Sequence, residues 1–401
     1  MPNFVYRSES AYARVRLCGL LLSLFVSSRS LGQFLSTEHA VNASEVRVGL
    51  SSTQSGAIGA LAVSVKEGYL AFFGRVNRQG GVYGRMLRLI DYDDDYQALN
   101  AVANTEGLIN RDKVFALAGC AGASVSEPVL AMVNGARLVF FAPVSGGLGV
   151  RQPLLRYVFS LRASYLDESR LLVRHLVEDV HVGRIALVCR HDGDGDSARE
   201  ALQIALAEHS LRIVSEGDYV RNTMEVQEAF ERVIDGNPEA VILFGAGAPC
   251  AQFIQYARRR GGWPLILCCT SNVDLEHVQR LLGPQAEGVI GSQVVPFPLD
   301  SSSDLVREYQ ADMTARGYQD FNHASLEGYV GARVFVTALQ KAGPALTEQG
   351  LIDALANGTF TCGPLTFAFD GNLQQRNHAV FLTQISHGRL VPTQQIGLPV
   401  R

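Results

Sequence analysis

Beyond Val26, no stretch of this 401-residue chain reaches 18 uncharged apolar residues, so no later segment is long enough to span a bilayer as a helix. The seven cysteines contain no C-x-x-C, and no Cys/His set has zinc spacing, which excludes the common structural-zinc and dithiol readings. The nine histidines are scattered, with no two at i, i+4. There is no Walker sequence, no G-x-S-x-G elbow and no H-E-x-x-H, so the usual signatures of phosphoryl transfer, serine hydrolysis and zinc proteolysis are missing. Charge is scarce too. Only 18% of residues are charged and the formal net charge is −4, so no basic surface for nucleic acid is present. No low-complexity tract and no repeat with a period of about 20 to 50 residues appears.

What is present is apolar and long. The chain is 47% hydrophobic, enough for sizeable cores, and its length suits two domains better than one. Near the N-terminus, Arg14 and Arg16 precede the apolar stretch Leu17 to Val26, with Ser28 and Ser30 beyond it. This reads as a signal peptide over residues 1–30 and predicts a periplasmic or secreted mature protein. Six cysteines would then remain: Cys120, Cys189, Cys250, Cys268, Cys269 and Cys362. Most lie in or just after apolar runs, where a buried thiol is expected, although one or two disulfide pairs stay open in an oxidising compartment.

Strand and helix patterns alternate. "EVRVGL" reads as a strand; Leu61, Val65, Tyr69, Phe72 and Val76 then recur at helical spacing until Gly80 and Gly81. "MLRLID", "VFALA", "RLVFFA", "RIALVC", "LRIVSEGDYV", "AVILFG", "PLILCC" and "GVIGSQVVPFP" are further strands with helices between them. Helices are predicted over 98–110, from Ser126 onward, over 304–316 and over 323–341. The tail changes character, with "GPLTFAFDGN" and "HAVFLTQISHGRLVP" reading as antiparallel strands turned at Asp370-Gly371 and His387-Gly388. The class is α/β, two mostly parallel sheets covered by helices plus a β tail.

In such sheets ligands sit beyond the carboxyl ends of the strands. Two turns of small residues lie there, 119–124 in "AGCAGASVSEP" and 142–149 in "APVSGGLG". The first brings bare backbone and a helix N-terminus together, a favourable setting for an anion. Two acidic runs are less specific. "HDGDGDSARE" spaces Asp192, Asp194 and Asp196 like a calcium loop, but Ser197 and Gln203 stand where that loop needs Gly and Glu. Its acids are expected to cap a helix. "DYDDDYQ" reads as a solvated loop that caps the next helix. "FGAGAPC" misses the third glycine of the dinucleotide fingerprint, and no acidic residue follows at the required distance.

The ordered set "NRQGGVYGR", "GCAGASVSEP", "FFAPVSGGLGVR", "FSLRASYLDE", "GSQVVPFP" and "SLEGYVGARVFVTAL" resembles the type I periplasmic binding proteins of the leucine/isoleucine/valine-binding kind. The resemblance runs from about Val46 to Val391. It implies a two-lobed clamshell, each lobe a doubly wound, mostly parallel sheet, joined by three crossovers near Arg162, Val294 and Thr361. One lobe would comprise 44–162 plus 295–360 and the other 163–294 plus 361–396. The chain would be a monomeric, non-enzymatic receptor of an ABC importer, delivering an amino acid or related small carboxylate or amide to a membrane permease. It would need no cofactor or metal and would bind no nucleic acid. The alternative implied is a clamshell that senses ligand for a receptor or signalling complex.

By the same resemblance, Gly122, Ala123 and Ser124 would cradle a ligand carboxylate. Val144 and Ser145 would offer a carbonyl and a hydroxyl to an ammonium group, and Tyr165 would wall the cleft. Asp194, Gly247 and Ser271 stand where relatives carry two aromatics and an acid. Asp194 is thus expected either to cap its helix or to pair with a cationic group of the ligand.

Overall fold

The computed structural model describes residues 42, 44–56, 58–151, 155–260, 264–369 and 377–396. The leader expected over 1–30 and the turn expected at Asp370-Gly371 lie outside them.

The first sheet contains β1 (Glu45–Ser51), β2 (Met86–Tyr92), β3 (Ala116–Ala118), β4 (Val139–Phe141) and β5 (Val158–Phe159) in the order β2-β1-β3-β4-β5. Every pairing is parallel. The second contains β6 (Ile185–Arg190), β7 (Glu216–Tyr219), β8 (Ala240–Leu243), β9 (Ile266–Cys269) and β10 (Ile290–Gln293), all parallel, in the order β10-β9-β8-β6-β7. The antiparallel hairpin β13 (Phe381–Ser386) and β14 (Arg389–Thr393) extends it beside β10, turning at His387-Gly388 as the sequence predicts. The inner strands are buried along their length, as a sheet covered on both faces requires.

The chain passes between two cores. Leu161 packs into the first and Tyr165 into the second, so one passage lies between them. Val295 returns to the first core directly after β10. The third passage falls later than Thr361. Phe360, Cys362, Leu365, Phe367 and Phe369 all pack into the first core, because β11 (Thr359–Cys362) pairs with β12 (Leu365–Ala368) rather than with the second sheet. The chain enters that sheet only at Phe381.

Two helices form the spine of the first lobe. Gly59–Arg78 buries Leu61, Val65, Tyr69, Phe72 and Val76, the five positions expected from spacing. His323–Ala342 packs across it. They cross where Gly68 meets Gly328: a Cβ on Gly68 would lie 2.0 Å from the Ser325 carbonyl oxygen, and one on Gly328 2.0 Å from that of Val65. No side chain fits between these backbones. All six cysteines in the described residues are buried and free, so none of the disulfide pairs left open by the sequence is formed among them.

Candidate functional site

The two small-residue turns at the strand ends are stitched together. Gly122 N–H donates to the Val144 carbonyl and Val144 N–H to the Cys120 carbonyl, each at 3.0 Å. The helix after the first turn starts at Ala123, three residues before the expected Ser126, and Pro128 breaks it into a 3-10 turn. The N–H of Ala123 is therefore free to point across the cleft. Gly122 has φ +95, and a Cβ there would strike the Tyr96 ring, 2.5 Å from its hydroxyl. Backbone angle and crowding both demand glycine at this position.

A carboxylate does occupy this cradle, and it belongs to the chain itself. Asp194, in the first turn of the helix Gly193–Ala207 of the second lobe, is buried and saturated with donors. Its Oδ2 accepts from the Ala123 N–H at 2.9 Å, the Tyr96 hydroxyl at 3.0 Å and Arg190 Nη2 at 2.6 Å. Its Oδ1 accepts from the Tyr165 hydroxyl at 2.7 Å. Beside it, the Ser124 hydroxyl donates to Asp192 Oδ2 at 2.9 Å. Arg190 ends β6, lies 4.9 Å over the Tyr96 ring and also approaches Asp192 at 3.5 Å.

Electrostatics follows from this burial. Desolvation works against the charge on Arg190, but Tyr96, Asp194 and Asp192 around it hold the guanidinium well above its usual range. Burial, followed by the neighbouring Asp194, pushes the Tyr96 and Tyr165 hydroxyls up, so both remain donors. Glu127 is raised by burial and then by the charges of Asp194 and Asp192.

The structure thus brings together Gly122, Ala123, Ser124, Tyr165 and Asp194 among the residues chosen from sequence. The Val144 carbonyl, expected to face an ammonium group, accepts from the Gly122 N–H. Ser145 is buried, and its hydroxyl accepts from the Gly147 N–H at 3.1 Å within its own loop. Ser271 belongs to a separate buried network: its N–H and hydroxyl both donate to Glu168 at 2.8 Å, and it accepts from Arg162 Nη2 at 2.5 Å. Gly247 is buried inside the second lobe at the start of the helix Gly247–Arg260.

The capping expectation for Asp194 does not hold. The helix is capped by Asp192, which accepts from the Gly195 N–H at 3.1 Å, and the carboxylate of Asp194 is already engaged by four donors. Asp192 and Asp194 are bound to donors rather than poised as calcium ligands, and no metal-competent cluster occurs among the described residues.

Sequence reasoning missed Tyr96 and Arg190; Asp192 was expected only as a helix cap, a role it fills. The loop "DYDDDYQ" is not a solvated cap: Asp94 and Tyr96 are buried, and Gln97 makes no side-chain cap on the helix Ala98–Asn110. Asp94 accepts from Ser51 at 3.0 Å and Thr53 at 2.8 Å, which offsets its burial and turns Tyr96 inward. An arginine ending an otherwise apolar strand, "IALVCR", was the available signal for Arg190.

Outside the Asp194 contact, the lobes enclose an open cavity of about 570 Å³ at the cleft mouth, lined by Gln97, Ser124, His191, Asp192, Arg221 and Asn222. Farther along, His323 and Glu276 join the lobes at 2.5 Å.

A family model described as periplasmic binding protein matches residues 45–389. The chain belongs to the periplasmic binding protein family. It is similar to the leucine-specific-binding protein of Salmonella typhimurium, with 22% identity over 362 residues, covering 86% of this chain and 93% of that one. Among solved structures it resembles a possible leucine/isoleucine/valine-binding protein from Rhodopirellula baltica SH 1, with a TM-score of 0.83 and 25% identity over 91% of this chain and 100% of that one. A substrate-binding periplasmic protein from Ralstonia solanacearum gives a TM-score of 0.80 at 26% identity, covering 87% and 100%. The two sheets described above are the two lobes of a type I periplasmic binding protein. As a member of this family of binding proteins the chain is not an enzyme.

Proposed function

We propose that this periplasmic binding protein is the solute receptor of an ABC importer and captures an amino acid or related small carboxylate or amide between its lobes for delivery to a membrane permease. The observation that supports this reading most is a carboxylate seated on the Ala123 N–H with two tyrosine hydroxyls and a guanidinium around it. A site with these donors has the chemistry that a ligand carboxylate needs. The polar cavity at the cleft mouth supplies room for the remainder of a small solute. The names of the Salmonella and Rhodopirellula relatives agree with an amino-acid-like solute.

Mass spectrometry of small molecules released by denaturing freshly purified protein tests the reading. An amino acid or small carboxylate recovered in stoichiometric amount supports it. A solute with neither a carboxylate nor an amide overturns the ligand class. The leader is part of the same proposal: N-terminal sequencing of exported material is expected to find the mature end between Ser30 and Ala43, and an intact Met1 there would refute processing.

A further inference from the structure

We infer that Asp194 is an internal ligand: it fills the carboxylate cradle of the first lobe from the second, holds the lobes together without solute, and excludes free carboxylates until they displace it. This rests on the reading that the cleft is the solute site. The argument is geometric. The donors to Asp194 come from both lobes and from the passage between them: Tyr96 and Ala123 on one side, Arg190 on the other, and Tyr165 just past the first crossing. A solute carboxylate placed on Ala123 N–H would find its position already taken at 2.9 Å.

The contact is reinforced on both flanks. Ser124 of the first lobe bonds Asp192 of the second, and the Tyr165 N–H donates to the Gly146 carbonyl at 2.9 Å. A group placed only to cap its helix would not reach across the cleft, and that cap is supplied by Asp192. Asp194 already faces a cation of the chain itself, Arg190 Nη2 at 2.6 Å. Arg190 is 4% exposed, so its charge is balanced here by Asp194 and Asp192 and not by water.

The experiment uses protein stripped of solute by unfolding and refolding, with acetate as the probe. Small-angle scattering is expected to find the stripped wild-type protein compact, with acetate leaving both its radius of gyration and its melting temperature where an equal concentration of chloride leaves them. Asp194→Ala is expected to scatter with a larger radius and to bind acetate about tenfold or more tightly than wild type. Acetate should also raise its melting temperature saturably and restore compactness, by refilling the cradle. Asp194→Asn covers the case in which the alanine variant does not fold. It keeps the shape but cannot accept from all four donors, and it is expected to open in the absence of solute.

Stripped wild-type protein that is already open overturns the inference, as does an Asp194→Asn protein as compact as wild type. A folded Asp194→Ala protein indifferent to acetate also overturns it. None of these readouts involves the natural solute, so a wrong solute class would leave them unchanged.

Discussion

Tyr165 contributes at both ends of one hydroxyl. It donates to Asp194 and accepts from Asn272 Nδ2 in the second lobe. Tyr165→Phe keeps the ring, its edge contact with Phe244 and nearly all of the volume, and removes only the oxygen. A buried carboxylate then loses one of four donors. The expected cost is about 1–3 kcal/mol of stability, measured by urea unfolding at neutral pH. A loss within error would mean that the other three donors satisfy Asp194 alone.

A second residue carries a pH signature. Asp274 caps the helix Leu275–Leu282 by accepting from the His277 N–H at 3.0 Å. Burial, then the neighbouring Glu276, pushes its carboxyl up to about 7 from the ordinary 3.8. A carboxyl raised in the folded state binds its proton more tightly there than in the unfolded chain. Its contribution is therefore fully present below about pH 4 and is lost as pH climbs toward 7. Asp274→Asn keeps the cap, tolerates the left-handed φ of +57 and cannot titrate. Its unfolding free energy should fall less steeply than that of wild type between pH 5 and 7. Parallel curves would place the titration elsewhere.

At the scale of elements, the crossing of the helices Gly59–Arg78 and His323–Ala342 tests how closely the first lobe is packed. Gly328→Ala puts a methyl group against the Val65 carbonyl, so the helices must separate. Overpacking of this kind costs about 1–3 kcal/mol, against the fraction of a kcal/mol that alanine gains over glycine by helix propensity. Thermal melts of the variant should show the net loss; a stabilised variant would mean that the helices move apart freely.

Elements were the most legible level in the sequence, because helix and strand periods are local. The five apolar positions of the first long helix, the helix Ala98–Asn110, the pair near 304 and 323, and the last hairpin all follow from spacing and turn residues. The helix crossing did not show, since a glycine in a helix says nothing about which backbone approaches it. The third passage between lobes was misplaced for a similar reason: "TFTC" and "LTFA" pair with each other, and a pattern of alternation cannot name a strand's partner. The candidate site was half legible. Small residues at a strand end and a helix start pointed to the exposed backbone at Gly122 and Ala123. The side chain that meets this backbone was hidden because Tyr96 and Asp194 are 98 residues apart, and because an acidic loop looks solvated until the hydroxyls of Ser51 and Thr53 are seen to bury Asp94.

For the whole molecule, all six described cysteines are buried, and burial raises the thiols of Cys189, Cys250 and Cys268 to about 12. A thiol held protonated and out of water is a poor nucleophile even in an oxidising compartment. Native protein is therefore expected to react slowly with a thiol-specific chromogenic disulfide. In protein that starts after the leader, which carries Cys18, all six should react at once after unfolding, with no reductant added. Fewer than six under denaturing conditions would reveal a disulfide.

The saturated Asp194 has a further consequence for how the molecule would respond to its surroundings. A tethered carboxylate acts at an effective concentration fixed by the fold, in the millimolar range or above for short connections. A free solute competes against that constant. If the tether fills the cradle about 99% of the time, observed affinity falls about a hundredfold below the intrinsic value. Half-saturation would then move to higher solute concentration by that factor, with the binding curve otherwise unchanged in shape. The strength of a few hydrogen bonds to Asp194 would set the solute concentration at which the protein is half filled.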